Sequence, residues 1–214
     1  APEAMDTCYP GLSEAVSALH RNPDTLSLAR DSTFDIAGNW KNVGDNLLEC
    51  YHCHPTHKDF VDLIDMSAYR NETFERWSIQ TGPASTGNGV YEVTSGAAGF
   101  TSAFAWPNIS FGQLPGHRGI FIFHFVPTGP ETTRQRVAYY SPDGEENSVE
   151  EAAFDYFNNV LGPEDVALFE NVQIGLRSQA YHQGKFICIP DRPEISEHAV
   201  HHFQSMVVEA LETD

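Results

Sequence analysis

The sequence predicts an α+β domain, an antiparallel sheet in the middle of the chain gripped by helices at both ends. Between Asn71 and Tyr140, segments rich in aromatic and β-branched residues alternate with Gly, Pro, Asn and Ser punctuation, the pattern of successive antiparallel strands. On both sides of that region apolar residues recur at helical spacing. At 214 residues and 41% hydrophobic, the chain suits one domain with a sizeable core.

The elements follow in order. Leu12, Ala15, Val16 and Leu19 fit one face of a short helix, and Leu26–Ile36 reads as extended up to Gly38. From Asn39 to Tyr51, the spacing of Trp40, Val43, Leu47 and Tyr51 predicts a single helix with one buried stripe. A second short apolar stretch covers 60–66. Strands are expected at 73–80, 89–94, 99–106, 119–126 and 134–140. In the fourth of these, I-F-I-F-H-F-V places large apolar groups on both faces, which predicts a central strand covered on both sides. Helices are expected at 149–161 and 163–180, broken at Gly162-Pro163, followed by a short strand at 187–190 and a last helix at 196–211.

Charge narrows the function classes. A formal net charge of -18 repels phosphate, which argues against nucleic acid and anionic membranes and favours cationic ligands or basic partners. No run of eighteen apolar residues occurs, and the first ten residues show neither a basic nor an apolar signal region. Cys8, Cys50, Cys53 and Cys188 do not resemble a disulfide framework, so free thiols and a reducing cytoplasm are expected. The acidic stretch 143–155, without Lys or Arg, reads as a solvated face.

The chemistry concentrates in Asn39 to His57, N-W-K-N-V-G-D-N-L-L-E-C-Y-H-C-H-P-T-H. On a helix, Glu49 and His52 share a face. His52 and His57, five apart, would diverge on a straight helix. Pro55 disfavours the helical region for His54 and is expected to break the helix between the two histidines, so that they converge. Two imidazoles plus one carboxylate, with open positions, is the donor set of non-haem iron(II). Zinc held by both histidines with Cys50 and Cys53 is the alternative, but a structural zinc site would want a second, closely spaced cysteine pair, and Cys8 and Cys188 each stand alone in the sequence. His198, His201 and His202 share a helical face and read as structural or surface groups.

The pattern N-W-K-x-x-x-D-N-x-x-E-x-Y-H-x-x-x-x-H resembles the catalytic-domain signature of the Rieske non-haem iron oxygenases, the ring-hydroxylating oxygenase α-subunits. The form E-C-Y-H-C-x-x-x-H is closest to the branch acting on glycine betaine, choline, carnitine and stachydrine. The resemblance extends through most of the chain, including W-P-N at Trp106–Asn108. It implies a helix-grip, START-like fold, with His52 and His57 as iron ligands. The third ligand is implied in G-P-E-D-V, at Asp165, with Glu164 beside it as the other candidate. Glu49 would bridge an iron-site histidine to a Rieske histidine of a neighbouring subunit, and Asn46, one turn earlier, would line the site.

The same resemblance implies mononuclear iron(II), dioxygen, electrons from a reductase through a [2Fe–2S] cluster, and a homotrimer in the intact enzyme. The cluster's paired C-x-H and C-x-x-H do not occur, since Cys50-Tyr51-His52 lies inside the iron motif and no C-x-x-H exists, so residues 1–214 are expected to be the catalytic domain alone, without the N-terminal Rieske domain. The expected reaction is hydroxylation and N-demethylation of a small quaternary or tertiary amine. Aromatic-ring dihydroxylation, or a non-enzymatic helix-grip ligand-binding module, are the alternatives. Trp106, Phe123, Phe125 and Tyr139 are the expected substrate contacts, since a quaternary ammonium favours aromatic faces. His124, on the same strand, is expected to be a polar group of core or pocket.

Overall fold

The computed structural model describes residues 3–189 and 191–212. Seven strands form one antiparallel sheet: β1 Leu26–Ile36, β2 Arg70–Thr73, β3 Trp77–Pro83, β4 Gly99–Ala105, β5 Ile109–Gln113, β6 Ile120–Gly129 and β7 Thr132–Pro142. Their spatial order is β1-β7-β6-β5-β4-β3-β2, a meander to which β1 is added beyond β7. Among the described residues eight α-helices accompany it: α1 Met5–Cys8, α2 Leu12–Leu19, α3 Trp40–Leu47, α4 Cys53–Thr56, α5 Lys58–Leu63, α6 Ser148–Tyr156, α7 Gly162–Leu176 and α8 His198–Glu212.

The register sets the inner face. Gln80 pairs with Ser102, Ser102 with Gly112, Gly112 with Phe121 and Phe121 with Tyr139, so these side positions form one row across five strands. In the neighbouring row Phe104, Ser110, Phe123 and Val137 are all buried. A Cβ on Gly112 would lie 2.5 Å from the Phe121 ring, so glycine there lets that ring lie across β5. On the opposite face, α2 packs Leu12 with Trp77, Ala103 and Ala105.

Several expectations need correction. The outward residues of β6 are only partly covered, and His124 and Val126 are exposed. β6 alternates as a strand buried on one face, and its large outward apolar groups are half-covered rather than enclosed. His124 is therefore neither core nor pocket. Residues 89–94 form a loop, while β5 is a strand that periodicity missed. The stretch 187–189 has no regular structure, and Pro190, the last residue expected in that strand, lies outside the described residues.

The Gly162-Pro163 break is absent. α6 runs through a π-helical turn, Phe157–Leu161, directly into α7, and this widened turn immediately before Pro163 lets the helix continue past a residue that has no N–H to donate. A Cβ on Gly162 would stand 2.9 Å from the Phe34 ring, so this wide turn packs closely on β1.

The acidic stretch 143–155 is not uniformly solvated. Glu150 is fully buried and accepts hydrogen bonds from Tyr139 Oη at 2.5 Å, from Arg118 N, Nε and Nη2 at 2.8, 3.0 and 2.7 Å, and from Asn147 N at 3.0 Å. Asn147 and Glu150 also form a capping box on α6. Tyr139 is thereby committed to the core.

Candidate metal centre

The site is built on two arms. α3 begins at Asn39, whose side chain accepts the Lys41 N–H at 2.9 Å. It ends at Leu47, short of the predicted Tyr51. The sheet holds that end: Gln80 Nε2 donates to the Leu47 carbonyl at 2.6 Å and Asn71 Nδ2 to the Leu48 carbonyl at 2.9 Å. These bonds satisfy carbonyls that a helix end leaves without partners.

Glu49 and His52 consequently meet through a turn rather than along a helix face. The His52 N–H donates to Glu49 Oε2 at 3.1 Å and His52 Nδ1 lies 2.5 Å from Glu49 Oε1. Pro55 does not separate the histidines by breaking a helix, since it lies within the short α4, where the first turn tolerates it. The chain leaves helical geometry before His52, and again at His57 (φ -107°, ψ 72°).

Cys50 and Cys53 form a disulfide, correcting the expectation of free thiols. The Cys53 N–H donates to the Cys50 carbonyl at 3.0 Å, folding the turn until the two Cα atoms are 4.9 Å apart, within bridging range. The zinc set that needed both thiolates is thereby unavailable. The bridge clamps the turn that presents His52.

The second arm is α7. Gln173 Oε1 accepts from Asn39 N at 2.8 Å and from Asn42 Nδ2 at 3.1 Å, which ties α7 to α3. In the first turn of α7, Asp165 and Glu164 take different sides of His57. Glu164 Oε2 is 2.8 Å from Nδ1, and Asp165 Oδ1 is 3.0 Å from Nε2 and 3.8 Å from Nε2 of His52. The two imidazole Nε2 atoms are 3.1 Å apart. His52, His57 and Asp165 thus offer donor atoms that all lie within 4.8 Å of one another.

The donor chemistry fits a cation. Each Nδ1 faces a carboxylate, Glu49 for His52 and Glu164 for His57, which favours a proton there and leaves each Nε2 as the free donor. Two Nε2 lone pairs and a carboxylate oxygen then converge, an arrangement that repels itself unless a cation or a proton lies between. Burial opposes charge on His57, but hydrogen bonds and charge from Asp165 and Glu164 outweigh burial and raise its pKa above the ordinary histidine value. Asn46 Nδ2 stands 3.3 Å from His52 Nε2 as a further donor to it.

Beside the cluster is a cavity of about 80 Å³ walled by Phe60, Phe100, Phe121, Phe123, Phe157 and Leu161. Of the four aromatic residues expected at the substrate, Phe123 lines this cavity. Phe125 lies behind it, bordering a smaller void together with Phe123. Trp106 packs against Trp40 and Phe203, and Tyr139 is held by Glu150, so neither reaches the cavity wall. Phe60, Phe100 and Phe157 went unnoticed because they sit on three separate elements. His198 and His202 are structural, bonded to the Asn71 and Glu75 carbonyls at 3.0 and 3.3 Å. Among the described residues no helix is long and apolar enough to cross a membrane.

Residues 23–213 match the family described as Ring hydroxylating alpha subunit (catalytic domain). The oxygenase subunit of carnitine monooxygenase from Acinetobacter baumannii is 30% identical over 94% of this chain and 55% of its own length. The chloroplastic choline monooxygenase of Atriplex hortensis is 29% identical over 90% of this chain and 42% of its own. A solved quaternary ammonium Rieske monooxygenase, whose structure was reported for carnitine oxidation and inter-subunit electron transfer, superposes with a TM-score of 0.88 at 30% identity, covering 97% of this chain and 56% of the other. The chain spans about half the length of the curated relatives it matches.

Proposed function

This chain belongs to the ring-hydroxylating α-subunit family as its catalytic domain, and we propose that it is the iron-bearing part of a Rieske-type oxygenase that hydroxylates an N-methyl group of a small quaternary or tertiary amine. The observation that carries this reading is the convergence of His52 Nε2, His57 Nε2 and Asp165 Oδ1 beside an aromatic cavity. These three would hold iron(II). When bound, the metal supplies the redox chemistry by which dioxygen is reduced and the substrate hydroxylated.

The chain's own residues do the rest. Glu49 and Glu164 hold the Nδ1 protons, which fixes both rings in the tautomer that leaves Nε2 free. The phenylalanine wall excludes water and presents ring faces to a cationic methylammonium, an attraction of about 0.5–2 kcal/mol per good contact. Glu49, directly on His52, is in position to link that ring to a cluster histidine of a neighbouring subunit. An N-methyl carbon hydroxylated beside nitrogen then loses formaldehyde without further help from the protein.

The test has two parts. Anaerobic loading should give one iron(II) per chain, reduced to background in the Asp165→Ala variant. Supplied with an NAD(P)H reductase and its Rieske partner, the protein should release formaldehyde in step with amine consumption. This chain with a reductase alone should release none, and turnover there would overturn the proposed electron route.

A further inference from the structure

The cavity's charge inventory reaches beyond the amine class, resting on the oxygenase reading above. Among the described residues, no lysine or arginine lines it, and its acidic members are Glu49 and Asp165. Most of its surface is the phenylalanine wall. Its polar wall groups are largely engaged already. Gln80 uses Oε1 to accept from the Tyr69 hydroxyl and Nε2 to donate to the Leu47 carbonyl. Asn46 is turned toward His52. Ser102 shares a hydrogen bond of 2.7 Å with Ser110, both fully or almost fully buried. Two hydroxyls bring two protons and four lone pairs to that pair, and their mutual bond uses one of each, so the pair keeps one proton and spare lone pairs to offer a ligand.

A cationic trimethylammonium head finds ring faces and nearby carboxylates here. A ligand carboxylate finds no positive side chain, only neutral donors, with Glu49 and Asp165 opposing it. The positive centre it could reach is the metal, where it would occupy the positions that the reaction requires open. Removing a carboxylate from water without a partner is among the most costly of burials.

We infer that this cavity selects a monocationic quaternary ammonium ending in a hydroxyl or an alkyl group, and rejects the zwitterionic betaines, with Ser102 receiving the hydroxyl. Selectivity of this kind comes from an unpaired charge on the rejected ligand rather than from a better contact to the accepted one.

The experiment is equilibrium binding to the cobalt(II)-loaded chain, by calorimetry, of tetramethylammonium, choline, glycine betaine and carnitine. The two monocations should bind, with the two zwitterions weaker by about tenfold or more, equivalent to about 1.4 kcal/mol. Ser102→Ala should weaken choline several-fold while leaving tetramethylammonium unchanged. Betaine or carnitine binding as tightly as choline would overturn the inference and leave the amine-oxygenase reading standing. No binding by any of the four would overturn both. The comparison in the unmodified chain decides the charge rule even if the Ser102 variant does not fold.

Discussion

Two carboxylate clusters, each gathered about one buried side chain, Glu150 or His57, are finished in opposite ways. Around Glu150 every oxygen is answered: five donors from Tyr139, Arg118 and Asn147 converge on it. Burial would raise its pKa, but those donors outweigh burial and hold it at about 2. Around His57 the donors are answered on the outer side alone. The inner side gathers two ring nitrogens and a carboxylate oxygen around one point. A closed network stabilises the fold, whereas a network open on one side is a receptor. The contrast separates two clusters that look alike in composition.

The sharpest way to break the comparison is to remove one group from each. His57→Ala should lower cobalt(II) or iron(II) affinity by about 1,000-fold or more, about 4 kcal/mol, and should cost less in metal-free unfolding than Glu150→Ala does. Glu150→Ala should do the reverse, costing roughly 2–4 kcal/mol in denaturant unfolding as buried donors lose their acceptor, with metal affinity of the folded fraction retained. If both variants lose stability equally, the open-and-closed distinction fails.

Smaller changes sharpen it. Glu164→Leu removes the partner of His57 Nδ1 and should weaken metal binding by about 10–100-fold, with Glu164→Gln, which keeps an acceptor, recovering most of that loss. Acid should then separate the two buried histidines without metal. His117 is pushed down to about 4 by burial, the charge of Glu150 opposing, and its Nδ1 accepts the Leu114 N–H. Unfolding lets it bind a proton from about pH 6.5 downward, so its stabilisation is present above that pH and lost toward pH 4. His57, raised, contributes in the other sense: its stabilisation is full below about pH 6.5 and fades as pH climbs through its higher folded value. The wild type should therefore lose on the order of 1–2 kcal/mol relative to His117→Phe on going from about pH 7 to about pH 5, read from paired denaturant melts.

Much of this was legible in the sequence where local rules and tertiary structure agree. β1 is legible from Leu26 to Ile36 as an extended run that ends near Gly38, and the helix after Asn39 is legible in the spacing of Trp40, Val43 and Leu47. His52, His57 and Asp165 were named together only through the family resemblance, since no periodicity connects residues more than a hundred positions apart. β5 was missed because I-S-F-G-Q is short and carries one glycine. Residues 89–94 alternate like a strand, yet lie in a loop where Asn88 Oδ1 accepts from the Val90 and Tyr91 N–H groups. The disulfide was missed because its pairing depends on a turn that ends α3 early. Glu150 had a visible signal in N-S-V-E, the capping spacing, which the acid-rich surroundings obscured.

The wide turn at Phe157–Leu161 puts one residue too many into a helix that otherwise runs from Ser148 to Leu176. An α-helix turns about 100° per residue, but the i→i+5 turn spends one more residue on about the same rotation, so the surplus is absorbed locally and Asp165 keeps its azimuth. Deleting the exposed Asn159 would therefore let the helix close into regular geometry with Asp165 still facing the histidines. By local rules the shortened helix would be the better helix. The loss of three nucleotides would thus leave the metal centre standing, and what the surplus residue changes is the local swelling of the helix where Gly162 meets the Phe34 ring.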